Sequence, residues 1–256
     1  FKWLFQDDAP LLFRPHLDMN QLKWCMQFLK ECTQEKTDYN IRQIVSLAEY
    51  SRKTFKEIRD ETNIQYDCLT KGILHFYTNE KEFNDSIHAA SLMRSLGCPR
   101  NSISKEEVLK IEPALKNIAS SIVGGDYTDN DESGDVYKFT ANLAKLCEKK
   151  GVNFLYDTKI VKICINDNQA TGVEVLSKNG YKTINADKVV VCLGSYSKPL
   201  LDVIGINLIM YPGKGYSATY KILDLDNAPF ASITDDEYKL VYTRLGDRMR
   251  VAGTCE

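Results

Sequence analysis

Residues 135–194 constrain the fold more than any other stretch, because they carry two different periodicities in a fixed order. Asp135 precedes a helical stripe of Val136, Phe139, Leu143, Leu146 and Cys147. The stripe ends in Lys149-Lys150-Gly151, basic residues at the negative end of the helix dipole followed by a helix-terminating glycine. Residues 152–156 then read as a strand. Residues 160–165, 172–177 and 181–184 read as three more, with turns at Asn166-Asp167-Asn168 and Lys178-Asn179-Gly180. Residues 188–193 form a continuous apolar strand of the kind covered on both faces, and Gly194 follows. This order predicts a layered α/β sheet with the meander as an excursion from it.

The first third reads as helical. Apolar residues recur at Met19, Leu22, Met26, Leu29 and Cys32, and again at Ile41, Ile44, Val45, Ala48, Phe55 and Ile58. Core packing is the expected role of both stripes. Residues 65–78 are rich in β-formers and predict two short strands about Lys71-Gly72. Residues 80–96 return to helix and stop at Gly97-Cys98-Pro99. Ser104-Lys105-Glu106-Glu107 has the capping-box pattern and opens a short helix ending near Glu112-Pro113. Residues 122–127 predict another strand, and the chain beyond Ser197 is β-rich.

Composition excludes several classes. With a net charge of −2, the chain has no field that attracts nucleic acid or an anionic membrane. No apolar run reaches membrane-spanning length. The eight cysteines form no C-x-x-C pair and stand near no histidine at ligand spacing, so they read as reduced, mostly buried thiols, and no metal is expected. His16, His75 and His88 are scattered, with no triad partner legible. Asp126, Asp129, Asp131, Glu132 and Asp135 lack the closing Glu of a calcium loop and read as a solvated loop with one helix cap.

Gly213-Lys214-Gly215-Tyr216-Ser217-Ala218 fits a relaxed dinucleotide fingerprint, but β-prone sequence follows it. Without a helix N-terminus it is rejected as a phosphate loop. Tyr238, Leu240, Tyr242 and Arg244 alternate along a predicted strand. They line either an amino-acid pocket or a rim of surface polar groups.

Several stretches, in order and spacing, resemble the D-amino acid dehydrogenase small-subunit family within the D-amino acid oxidase and glycine oxidase superfamily. They include Lys2-Trp3-Leu4-Phe5-Gln6-Asp7-Asp8, Leu47-Ala48-Glu49-Tyr50-Ser51-Arg52 and Asn130-Asp131-Glu132-Ser133-Gly134-Asp135. Further on come Leu193-Gly194-Ser195-Tyr196-Ser197, Tyr211-Pro212-Gly213-Lys214-Gly215-Tyr216-Ser217 and Arg250-Val251-Ala252-Gly253-Thr254-Cys255-Glu256. The resemblance implies a partial FAD-binding domain of the glutathione reductase-like type, α/β in class. It is joined to an α+β, D-amino acid oxidase-like substrate domain with an antiparallel sheet. The expected division is a helical junction at 1–62, substrate domain at 63–125 and 199–256, and FAD-binding domain at 126–198.

The implied reaction passes hydride from a D-amino acid to FAD, and the imino acid hydrolyses to a 2-oxo acid and ammonia. A glycine- or sarcosine-type amine oxidase and a non-catalytic remnant are the alternatives. The resemblance implies that Ile160 meets the adenine and that Leu193, Gly194 and Tyr196 close over the cofactor. Tyr238, Tyr242, Lys214 and Gly215 become substrate-pocket candidates. It further implies a membrane electron acceptor, and a cytoplasmic location, peripheral on the inner face of a bacterial membrane. The family's G-x-G-x-x-G turn would lie upstream of Phe1 and its carboxylate-binding arginine past Glu256. Little independent FAD binding is therefore expected of this chain alone, a complementing N-terminal fragment is its expected partner, and apolar surface should be exposed where the opening strand would pack.

Overall fold

The computed structural model describes residues 17–256. The Lys2–Asp8 stretch and His16 lie outside the described residues. The chain divides into two compact units, one built from Lys30–Leu146 and Gly213–Glu256, the other from residues 17–29 and Cys147–Pro212. These boundaries fall at 146/147 and 212/213, whereas the sequence reading places them at 125/126 and 198/199.

The first unit holds a seven-stranded sheet. Its strands are β1 (Ile73–Tyr77), β2 (Arg100–Ser104), β3 (Gly124–Thr128), β7 (Gly215–Lys221), β8 (Ser232–Asp235), β9 (Leu240–Leu245) and β10 (Arg248–Cys255). They lie in the order β2-β3-β1-β8-β9-β10-β7. Only β1 and β8 run parallel, Leu74 opposite Ile233; the other pairs are antiparallel. A parallel pair needs a long connection, here the 154 residues between Tyr77 and Ser232. One sheet face buries Leu74, Phe76 and Ile233 against Val108, Leu115 and Ile122. Leu74 and Ile233 are almost fully enclosed, and each such side chain stabilises the fold by about 1.5–3 kcal/mol.

The helix α4 (Lys105–Ile111) and a 3-10 helix at Pro113–Ser121 cover that face. Ser104 and Glu107 complete the reciprocal capping box that opens α4, with bonds of 3.3 and 2.8 Å. Glu112, at the junction of the two helices, is 1 % exposed. Its carboxylate accepts the backbone N–H of Ala114, Phe230 and Ala231 at 3.1, 2.8 and 3.1 Å, tying the approach to β8 onto the helical layer. The helix α2 (Gln34–Thr62) opens on a Thr33 cap and closes on Asn63 in the left-handed conformation. The helix α3 (Glu80–Ser95) opens on Asn79 and packs on β2, β3 and β1.

The second unit holds α1 (Met19–Glu31) as far as Leu29, a three-stranded meander and α6 (Ser197–Asp202). The meander is β4 (Lys159–Asn166), β5 (Gln169–Ser177) and β6 (Gly180–Asn185), as its turn chemistry predicts. Asp167 and Asn168 take φ of 47° and 60°, the pair a two-residue hairpin turn requires. The helix α5 (Val136–Lys149) opens on the Asp135 carboxylate, which accepts Tyr137 and Lys138 N–H. It closes through Gly151 at φ 90° with Val152 N–H bonded to the Cys147 carbonyl.

Several expectations are corrected. Residues 152–156 and 188–193 belong to no sheet among the described residues, and Tyr156 stands in a turn. Leu155, Tyr156 and Val190 are 62%, 65% and 84% exposed. A run of β-formers becomes a strand only where a neighbour takes its backbone bonds. Residues 65–78 give one strand, not two; Leu69 makes only an isolated bridge to Ser133. The first helical stripe is not core, since Leu22, Met26 and Leu29 are exposed while Gln21 is buried. Its periodicity defines a face without supplying a cover. None of the cysteines is buried. Within the acidic stretch Asp126 departs from the solvated-loop reading: it is 0% exposed on β3 and accepts from Tyr77, Arg100 and Ser102, whereas Asp135 is the expected helix cap.

Candidate functional site

The residues expected to meet the nucleotide lie in the second unit. Its three-stranded sheet ends at β4, which among the described residues pairs with β5 alone. The outer N–H and C=O groups of β4 are thus not taken by sheet pairing among the described residues. Ile160 sits on this edge, 37% exposed, beside a register shift between Ile160 and Lys162. An adenine ring presents an adjacent donor and acceptor, which an open strand edge matches.

The second element is the turn that follows residues 188–193. Gly194 takes φ 53°, a left-handed conformation that a side chain disfavours. Nothing lies within 4 Å of the position a Cβ would occupy there. Ser197, itself buried, accepts the Leu193 N–H through Oγ at 3.3 Å, and Tyr196 N–H bonds the Leu193 carbonyl. The turn is therefore pinned from inside while Gly194 presents bare backbone and Tyr196 a 77% exposed ring. An open edge, a bare glycine and an exposed aromatic ring suit the adenosine half of FAD. The Gly213–Gly215 run continues into strand β7, so no helix N-terminus follows it and its rejection as a phosphate loop stands.

The substrate-side candidates lie in the first unit. Lys214 and Glu256 exchange backbone bonds of 2.8 Å, which brings two distant stretches of sequence side by side. Tyr216 donates its hydroxyl to Glu256 Oε2 at 2.5 Å, and Lys214 Nζ stands 3.5 Å from the same oxygen. The ammonium also lies 4.8 Å from the Tyr216 ring centre. Contact with Tyr216, and then with the Glu256 carboxylate, holds the Lys214 ammonium above its ordinary pKa. Gly215 begins β7 opposite Cys255.

A shallow concavity of about 360 Å³ opens on β7, β9 and β10. Register places Val251 opposite Ala218 and Gly253 opposite Tyr216, so these residues share one sheet face with Leu240 and Tyr242. A Cβ on Gly253 would collide with Leu240; the glycine lets that side chain lie across β10. The concavity is thus an apolar floor beside two phenols, Tyr216 and Tyr220.

The structure brings Lys214 and Gly215 to the rim of this surface but separates the two tyrosine candidates. Tyr238 lies in the β8–β9 turn, 56% exposed, and Tyr242 packs against the core, where burial and then Asp235 raise its pKa. Arg244 bonds the carbonyls of Leu225 and Gly246. Sequence reasoning missed Tyr216, Leu240 and Gly253 as neighbours, because only the β7–β10–β9 register unites them. It also missed the 2.7 Å pair between His75 and Asp236, 161 positions apart. Among the described residues no group of His, Cys, Asp or Glu is placed to hold a metal ion, and no helix is long and apolar enough to cross a membrane.

Comparison with known proteins adds to this geometry. A profile of the family described as FAD dependent oxidoreductase matches residues 13–256. A D-amino acid dehydrogenase of Dechloromonas aromatica (strain RCB) is 46% identical over 256 residues, all of this chain and 61% of that protein. One from Rhizobium johnstonii is 40% identical over 255 residues, covering 60% of its length. The chain therefore spans about three-fifths of the curated relatives it matches. Among solved structures, glycine oxidase from Geobacillus kaustophilus superposes with TM-score 0.69 at 22% identity, over 82% of this chain and 55% of that one. L-proline dehydrogenase from P. horikoshii gives 0.68 at 17%, over 82% and 54%. At these identities the structures share the fold alone.

Proposed function

Because this chain belongs to the FAD dependent oxidoreductase family, we propose that it supplies the adenosine side of an FAD site and one wall of the substrate pocket in a D-amino acid dehydrogenase. The observation that carries this reading is the 46% identity to a D-amino acid dehydrogenase along the whole chain, twice the 22% shared with the glycine oxidase. Bound FAD supplies the redox chemistry, accepting a hydride from the substrate Cα. The open edge at Ile160 would meet the adenine. Leu193, Gly194 and Tyr196 would lie against the cofactor, with Gly194 allowing close approach. The β7–β9–β10 concavity would take the substrate side chain and exclude water from it. Lys214, Tyr216 and Glu256 would hold the rim of that wall rigid through their mutual bonds. No described residue of this chain is assigned to the pyrophosphate or to the substrate carboxylate. Electrons would leave to an acceptor at the inner face of the bacterial membrane.

A glycine- or sarcosine-type substrate is the second reading; glycine oxidase from Geobacillus kaustophilus has the same fold. The test is a visible spectrum of the full-length protein, followed by anaerobic addition of amino acids and then an artificial electron acceptor. Flavin bands bleached by D- but not L-amino acids are expected. Bleaching by glycine or sarcosine alone would move the assignment to the second reading. A colourless protein that stays colourless with added FAD would end both.

A further inference from the structure

Away from these surfaces, the first unit contains a cavity of about 380 Å³ between α2, Tyr66, the loop at 131–134 and the first turns of α5. Its volume is at the lower end of the range for small-molecule sites, about 300–1,000 Å³. Three rings build its aromatic wall. Phe55 and Phe139 lie 4.5 Å apart between centroids, and Tyr66 meets Phe139 edge-on at 5.2 Å.

The loop that closes the cavity is firmly held. Ser133 and Leu69 exchange backbone bonds of 2.8 and 2.9 Å, and Asp135 N–H bonds the Tyr66 carbonyl at 2.7 Å. Gly134 presses on the Tyr66 ring so closely that a Cβ would lie 2.5 Å from it. The wall is thus fixed by the chain's own bonds, which lowers the ordering cost of binding.

The charges around the cavity do not cancel. Arg52 forks onto Glu49 at 2.5 and 3.1 Å, and Arg59 pairs with Glu132, which also accepts the Tyr66 hydroxyl at 2.7 Å. Each of these cations has its anion. Asp131 has none: among the described residues its carboxylate makes no hydrogen bond or ion pair, although it is half-buried and lines the cavity. Burial, the main cause, raises its pKa; Arg52, and more weakly Arg100 and His75, oppose this from beyond ion-pair distance, and Glu49 adds to it. A half-buried carboxylate without a partner beside aromatic faces favours a cation with an apolar body.

We propose that this cavity is a ligand site for a small organic ammonium, its charge at Asp131 and its apolar body against Phe55 and Phe139. The ligand class is a primary amine carrying an aryl or branched alkyl group. The assignment is independent of the flavin site, since none of its residues belongs to the surfaces proposed to meet FAD or substrate.

The test is calorimetric titration of the full-length, FAD-loaded protein with 2-phenylethylamine, and with 3-phenylpropanoate as its anionic counterpart. Saturable amine binding is expected, with the carboxylate at least tenfold weaker. Asp131→Asn should weaken the amine at least tenfold while leaving the circular dichroism spectrum unchanged. Ser51→Trp, on the exposed face of α2 at the cavity mouth, should block it without touching the carboxylate. Absence of saturable amine binding, equal binding of the anion, or amine binding that survives both substitutions would overturn the proposal. The last result would place the amine at another site.

Discussion

Substituting Gly194 by alanine separates a structural role from a cofactor-binding one. Within the protein itself the new methyl meets nothing, because no atom lies within 4 Å of the Cβ position. The cost to folding is then the left-handed backbone alone, φ 53°, about 1 kcal/mol for an L-residue. For a protein of this size that lowers the melting temperature by about 2–4 °C. If FAD lies against the bare backbone, the methyl also intrudes on the cofactor. Overpacking of this kind costs about 1–3 kcal/mol, which is about 5- to 150-fold in Kd. Gly205→Ala is the matched control: Gly205 also has positive φ, 83°, and an empty Cβ position. The assay is titration of the full-length apoprotein with FAD, followed by flavin fluorescence, alongside thermal melts of both variants. Equal losses of FAD affinity in the two variants would refute the assignment of Gly194 to the cofactor surface.

Glu112→Ala leaves three backbone N–H groups without their acceptor, two of them in the approach to β8. At about 1–3 kcal/mol for each buried orphan, and less for the exposed Phe230 end, urea denaturation should show a loss of about 3–5 kcal/mol; a loss below about 1 would contradict the clamp. Ser104→Ala removes the α4 cap and should cost about 1 kcal/mol in the same assay. Asp236 is destabilised as a carboxylate by burial, but His75 and then Lys239 outweigh this and bring its pKa down to about 2. Because the folded pKa lies below the unfolded value of about 3.9, the stabilisation is present above pH ~4 and lost as pH falls through about 2. His75→Ala should therefore lower the melting temperature at pH 6 and narrow the difference between pH 6 and pH 2.5; an unchanged difference would remove the pair from acid sensitivity.

The readings that held rest on short-range chemistry. The Ser104 capping box, the Asp135 cap, the Gly151 terminus and the Asp167-Asn168 turn all close bonds within about five residues, so the side chains that form them stand together in sequence. The readings that were corrected needed a distant partner. In the sequence Asp126 reads as a loop carboxylate because its donors, Tyr77, Arg100 and Ser102, lie 49, 26 and 24 positions away. The cavity beside Asp131 was likewise hidden, since α2 contributes Arg52 and Phe55 from far upstream.

Sequence alone determined which local elements form, and the family to which the chain is assigned, because periodicity, caps and turn residues act over one or two turns of backbone. Tertiary structure decided the pairing of β1 with β8 and of β7 with β10, the rim formed by Lys214, Tyr216 and Glu256, and that residues 152–156 and 188–193 join no sheet among the described residues. The physical reason is that a strand's hydrogen bonds are made with another segment. The β-forming tendency is local, but its fulfilment depends on which backbone arrives alongside.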